Sequence, residues 1–125
     1  MPLAASLHAS GQLERRAEIG RRLLRRCTLC PRRCRVDRIA GEVGRCGIGA
    51  RARIAGYGPH FGEEAVLVGR GGSGTIFLTG CSLGCCFCQN FAISRGDEPG
   101  QEVDDGEFAA IMLELQARGC SNINL

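Results

Sequence analysis

The run Thr75-Ile76-Phe77-Leu78-Thr79, the segment from Asp104 to Gly119 and the closing Ser121-Asn122-Ile123-Asn124-Leu125 together decide the fold. β-Branched and aromatic residues make the first run a strand. Asp104 and Glu107 have the spacing of a capping box. Phe108, Ile111, Met112 and Leu115 recur at i, i+3, i+4 and i+7, and Arg118 with Gly119 supply C-terminal signals, which predicts a helix over 105–118. The last five residues alternate again, as a strand does. Strand, long loop, helix, strand is one parallel βαβ unit of right-handed crossover, so the fold class is α/β.

Upstream of this unit, Arg51 to Ala55 alternates polar with apolar and Ala65 to Val68 is a short apolar run, which predicts two short strands. Gly69-Arg70-Gly71-Gly72-Ser73-Gly74 has the spacing of a dinucleotide fingerprint, but that fingerprint must open a helix and this one opens a strand. It reads as a glycine turn between strands. Further back, residues 11–26 place Leu13, Ala17, Gly20 and Leu24 on one stripe with arginines opposite, an amphipathic helix. From Cys27 to Gly49 the chain is rich in Cys and Gly and lacks periodicity. Two regions follow: 1–50, an Arg-rich helix with a Cys-rich segment that metal would organise, and 51–125, the start of the α/β core.

Length and composition bound the function. A chain of 125 residues can hold one small core, and 44% hydrophobic with 23% charged residues is ordinary globular composition. No apolar run approaches the roughly 20 residues that span a bilayer, and the N-terminus lacks a secretory pattern, so a cytoplasmic protein is expected. All 16 basic residues are arginine. Ten of them precede residue 39, against Glu14, Glu18 and Asp37, so a basic N-terminal region leads an acidic body. Without interleaved aromatic residues, nucleic acid is a poor candidate partner, and a solvated helix face is the simpler reading of the arginines.

Nine cysteines without an export signal point to metal ligation rather than disulfides, and the odd number agrees. Four sit between Thr79 and Asp104, a stretch longer than ordinary connections. Cys81, Cys85 and Cys88 form C-x3-C-x2-C on a loop after a strand. Three thiolates so spaced can reach three irons of a 4Fe-4S cube and leave the fourth open for another ligand. Cys86, adjacent to Cys85, reads as a small packed residue, and a zinc site completed by Cys86 or His60 is the competing assignment. Cys27, Cys30, Cys34 and Cys46 form a second group, C-x2-C-x3-C-x11-C, compatible with zinc or with an iron-sulfur cluster. His60, Glu63 and Glu64 read as surface residues, and Cys120 as a buried one.

The stretch Gly80-Cys81-Ser82-Leu83-Gly84-Cys85-Cys86-Phe87-Cys88-Gln89-Asn90 resembles the C-x3-C-x-aromatic-C signature of the radical S-adenosylmethionine superfamily. Gly72 to Phe77, Asn122 to Leu125, and Cys27 to Cys34 followed by Gly41 to Cys46 extend the likeness to pyruvate formate-lyase activating enzyme-like proteins, over about residues 13–125. That resemblance implies a partial TIM-type barrel of which this chain holds the first βαβ portion. It implies a 4Fe-4S cluster on Cys81, Cys85 and Cys88, with S-adenosyl-L-methionine on the open iron and Phe87 near its adenine. The implied activity is reductive cleavage of S-adenosylmethionine to a 5'-deoxyadenosyl radical that abstracts hydrogen from a substrate, which includes a protein glycyl residue among the candidates. An acidic electron donor such as flavodoxin or ferredoxin is the expected partner, with the region Arg15 to Arg38 steering its approach. The resemblance also implies that strands beyond Leu125 are missing, so a truncated chain with an uncovered sheet edge is expected. The alternative is a small non-enzymatic zinc or iron-sulfur module whose Arg-rich helix docks an acidic partner or RNA.

Overall fold

The computed structural model describes residues 3–125. Helices α1 (Leu3–Ala9) and α2 (Gln12–Leu23) lead through a 3-10 turn (Leu24–Arg26) into an irregular Cys-rich segment. Strand β1 (Ala52–His60), a single helical turn α3 (Ala65–Val68), β2 (Ser73–Leu78), a second single turn α4 (Phe91–Ser94), β3 (Gln101–Val103), α5 (Asp105–Ala117) and β4 (Ile123–Asn124) complete the chain. The four strands form one mixed sheet in the order β3-β1-β2-β4. β1 is antiparallel to both β2 and β3, whereas β2 and β4 run parallel, with Gly74 opposite Ile123 and Thr75 opposite Asn124. The parallel unit expected from the sequence is present, and the class is mixed α/β.

The capping box forms as its spacing requires. Glu107 N–H donates to Asp104 Oδ1 at 2.9 Å, and Asp104 N–H donates to Glu107 Oε2 at 2.7 Å. Once started, α5 lays Phe108, Ile111, Met112 and the fully buried Leu115 over Ile54, Ile76 and Val103. These four apolar positions are the predicted stripe. Cys120, expected to be buried, is half-buried at the margin of the same core. On the opposite face of the sheet Phe77 is 45% exposed. β1 alternates accordingly, with Ala52 and Ile54 toward α5 and Arg53 on the other face.

Two expectations about strands are corrected. Ala65–Val68 is a helical turn, in which the Glu64 carbonyl accepts from Leu67 N at 2.8 Å and Val68 N at 3.2 Å, and Gly69 at φ 55° ends it. The reason is topological: β1 and β2 already pair from His60–Ser73 onward, so the residues between them have no strand edge to join. The strand expected over Arg51 to Ala55 runs on to His60 because Gly56, Gly58 and Pro59, poor strand formers alone, pair with β2. β3, α1 and α4 are additional elements.

The N-terminal helix is close to its predicted span. Ala17, Gly20 and Leu24 of the predicted stripe face a gap shared with Asp104 and Asp105, and Arg21 pairs with Asp105. No residue of α2 is buried. Among the described residues no helix is long and apolar enough to cross a membrane.

Candidate metal centre

β2 delivers the chain to the first cysteine of the triad. Thr79 is buried, its N–H bonded to Arg53 O at 2.9 Å and its hydroxyl to Pro99 O at 3.3 Å. Gly80 then turns at φ 80°, where a Cβ would lie 2.7 Å from the Cys46 carbonyl oxygen and run into Ile48. Only glycine allows both the turn and this approach of the N-terminal segment. Cys81 follows directly, at the C-terminal end of a strand with a parallel neighbour, the end at which ligands bind in α/β sheets.

The Cys81 thiol is held below its ordinary pKa by backbone N–H groups of Leu83 and then Gly84, opposed by partial burial and assisted by the Arg95 guanidinium. The Leu83 N–H lies 3.4 Å from Cys81 Sγ, and Arg95 rests against Gly84. Cys88 Sγ lies 3.3 Å from Ser94 Oγ on α4. Cys81 and Cys88 share the wall of a cavity of about 470 Å³ with Asn90, Ser94 and, from β4, Asn124. That volume is in the range of about 300–1,000 Å³ usual for cofactor-sized ligands. Cys85 is exposed on the intervening loop, and Phe87 is 84% exposed. Cys86, expected to pack as a small apolar residue, is exposed as well, because no element covers that arm of the loop. His60 and Glu63 lie at the surface, 3.9 Å apart.

The second group is organised differently. Cys27 is 2% exposed, and its backbone is fixed by bonds to Val36 O at 3.0 Å and from Arg35 N at 2.9 Å. Arg38 donates from Nε to Cys27 Sγ and from Nη2 to Cys46 Sγ, both at 3.2 Å, and from Nη1 to Gly49 O at 3.3 Å. Cys34 lies beside Gly44, flanked by Arg33 and Arg35 at φ 43° and 60°, left-handed backbone uncommon for a residue with a Cβ. Cys30 is half-buried nearby in sequence. The sequence groups four thiols here; two of them meet through one guanidinium. Among the described residues all nine cysteines are free, and no group of three His, Cys, Asp or Glu side chains is arranged to hold a metal ion.

The two groups are joined by arginine. Arg32, within the N-terminal group, donates to Ser82 O at 3.0 Å and Leu83 O at 3.1 Å on the triad loop. Sequence reading names the cysteines and misses Arg32, Arg38 and Arg95, because a long side chain reaching a carbonyl fifty residues away leaves no periodicity to detect. It also treats Arg15 to Arg38 as one docking surface, whereas Arg21, Arg22, Arg32 and Arg38 are engaged within the chain.

The fold and the loop define a mixed α/β protein that presents three thiols at the C-terminal end of a sheet strand. Similarity at the level of sequence extends to an uncharacterized protein of Methanocaldococcus jannaschii, 40% identical over an alignment 86 residues long that covers 66% of this chain. The chain spans 23% of the length of that relative. No family model matches the chain, and no solved structure matches it.

Proposed function

We propose that this chain carries the cluster-binding part of a radical S-adenosylmethionine enzyme, with Cys81, Cys85 and Cys88 holding a 4Fe-4S cluster. The observation that carries the reading is the shared cavity: two thiols of the C-x3-C-x2-C loop face one space bounded by the next parallel strand, and the third lies on the loop between them. The donor set fits the group, since it is thiol only and three in number. One position would remain for the amino and carboxylate groups of S-adenosyl-L-methionine. When bound, the cluster supplies the electron that cleaves S-adenosylmethionine to methionine and a 5'-deoxyadenosyl radical able to abstract hydrogen.

The chain's own residues have narrower tasks. Leu83 and Gly84 N–H groups favour the Cys81 thiolate, the form that ligates metal. Ser94 orients Cys88, and Arg32 fixes the loop at Ser82 and Leu83. In this reading β2, α5 and β4 are the first unit of a partial TIM-type barrel, and Phe87 closes on the adenine. The electron donor is an acidic protein of the flavodoxin or ferredoxin kind, met by arginines such as Arg25 and Arg26, which make no ion pair among the described residues. The substrate, a protein glycyl residue or another molecule, belongs to the full-length protein, as does residence in the reducing cytoplasm that nine free thiols suit.

Anaerobic reconstitution with iron and sulfide tests the proposal. The expected product has the broad visible absorption of an iron-sulfur cluster, an electron spin resonance signal after reduction, and a change in that signal on adding S-adenosylmethionine. Zinc as the sole bound metal, with no visible absorption, would overturn it in favour of a non-enzymatic binding module.

A further inference from the structure

A second cavity lies on the other side of the Cys81 strand end, and its chemistry is unlike that of the first. It encloses about 220 Å³ between the Cys46–Ile48 segment, β1, the Gly80 turn and α4. Three arginines from three separate parts of the chain line it: Arg45 from the Cys-rich segment, Arg53 from β1 and Arg95 from the end of α4. Glu98 is the one carboxylate on its wall. Among the described residues none of the three arginines makes an ion pair within 4.0 Å.

Arg53 is the decisive member. It stands half-buried in β1, a strand flanked by neighbours on both sides, on the face away from the α5 core. A cation held partly out of water at such a position has a desolvation cost that a counter-charge normally offsets. The nearest strand partner, Glu102, pairs instead with Arg51 at 3.9 Å. Arginine side chains lining a small polar space offer the forked donors that recognise a planar or tetrahedral oxyanion. The space is smaller than the roughly 300–1,000 Å³ of pockets for drug-sized ligands, so a nucleotide does not fit within it and a single oxyanion group does.

We infer that this cleft binds the phosphoryl group of a small molecule, with Arg45 and Arg53 as its ligands and Arg95, whose guanidinium lies against Gly84, adding positive charge at the rim. Three arginines against one glutamate leave an excess of positive charge suited to a phosphate dianion rather than to a monoanionic carboxylate. Gly80, Ile93 and Ser94 line both this cleft and the Cys81–Cys88 cavity, so a molecule anchored here by its phosphate lies one wall away from the triad. The inference does not depend on the triad holding a cluster.

The test uses the full chain and inorganic phosphate, at an ionic strength held constant with sodium chloride. Phosphate binding is followed by 31P line broadening, and thermal unfolding is followed in parallel. Saturable broadening and a phosphate-dependent rise in Tm are expected. Arg53→Ala and Arg45→Ala should each weaken binding about tenfold or more, the loss usual for one charge-assisted hydrogen bond. Arg118→Ala, just past the end of α5 and outside the cleft lining, should leave it unchanged. Arg45 is exposed, so its replacement leaves folding intact and keeps the test valid should Arg53→Ala unfold. Absence of saturable binding, or binding that survives Arg45→Ala, overturns the site. Equal binding of succinate overturns the phosphoryl class.

Discussion

The two cysteine groups occupy the same small protein yet are built on opposite plans. In the N-terminal group the chain has tightened around two of its four thiols: Cys27 is buried and Arg38 bridges Cys27 and Cys46, while Arg33 and Arg35 adopt left-handed backbone beside Cys34. In the triad loop the chain has opened: Cys85 and its neighbour Cys86 are exposed, and Cys81 and Cys88 face a cavity. A segment without regular structure can be stapled by its own polar contacts, and thiols used up in that way serve stability. Thiols left at the mouth of a cavity contribute little to the fold and are available for chemistry. The contrast is between two environments for a thiol, one closed by polar contacts and one facing a cavity.

The largest expected effect follows from that separation. On the proposed reading, replacing Cys85 by Ala should abolish iron binding at the triad while changing unfolding free energy by no more than about 0.5 kcal/mol, as for an exposed surface site. Cys27→Ala should do the reverse, leaving any iron the reconstituted triad takes up unchanged and destabilising the chain by about 1–3 kcal/mol through the buried sulfur and the orphaned Arg38 donor. Iron content and urea unfolding, measured on both variants, check this. Equal destabilisation by the two would erase the distinction.

A smaller effect is expected at the arginines that connect the groups. Arg38 donates to two sulfurs and a carbonyl from a half-buried position, so Arg38→Ala should cost about 1–3 kcal/mol. Lysine should rescue it poorly, since one ammonium cannot reproduce the fork. Arg32 is exposed and bonds only two loop carbonyls. Arg32→Ala should therefore cost under about 1 kcal/mol globally while hastening amide exchange over residues 81–90. Protection of that loop unchanged in the variant would show that the two groups are not mechanically joined.

What the sequence made legible has a physical pattern. The β2–α5–β4 unit could be read because its signals are local and mutually consistent: Asp104 and Glu107 cap each other, and Phe108 to Leu115 fall on one face. β3 could not, since three residues without alternation acquire strand geometry only by pairing with Ala52 to Ile54. Ala65–Val68 misled for the complementary reason, apolar content without an available edge. At the site, cysteine spacing is written in the chain and the thiol positions follow from it. The partners that separate the two groups, Arg32, Arg38 and Arg95, are ordinary members of an arginine-rich composition until the fold brings them to sulfur or carbonyl. Cys86 shows the limit of averages: cysteine is usually buried, but a loop held out by its neighbours exposes it.

The finest test of the comparison lies in Cys81 itself. Its sulfur accepts from Leu83 and Gly84 N–H groups, with a further contribution from Arg95, so its thiolate persists to lower pH than that of an ordinary thiol. The metal-free chain should then show alkylation of Cys81 by iodoacetamide with a midpoint below the ordinary value of about 8.5. By linkage, a depressed pKa stabilises the folded loop at pH above the unfolded thiol value, and that contribution is lost as pH falls through the folded one. Arg95→Gln should return the midpoint only part of the way, because the two backbone donors are the larger cause. A midpoint at the ordinary value in the parent chain would mean that the loop lacks its turn in the absence of metal. In that case the triad would be ordered by its ligand and the N-terminal group by its own arginine, a sharper division than exposure alone implies.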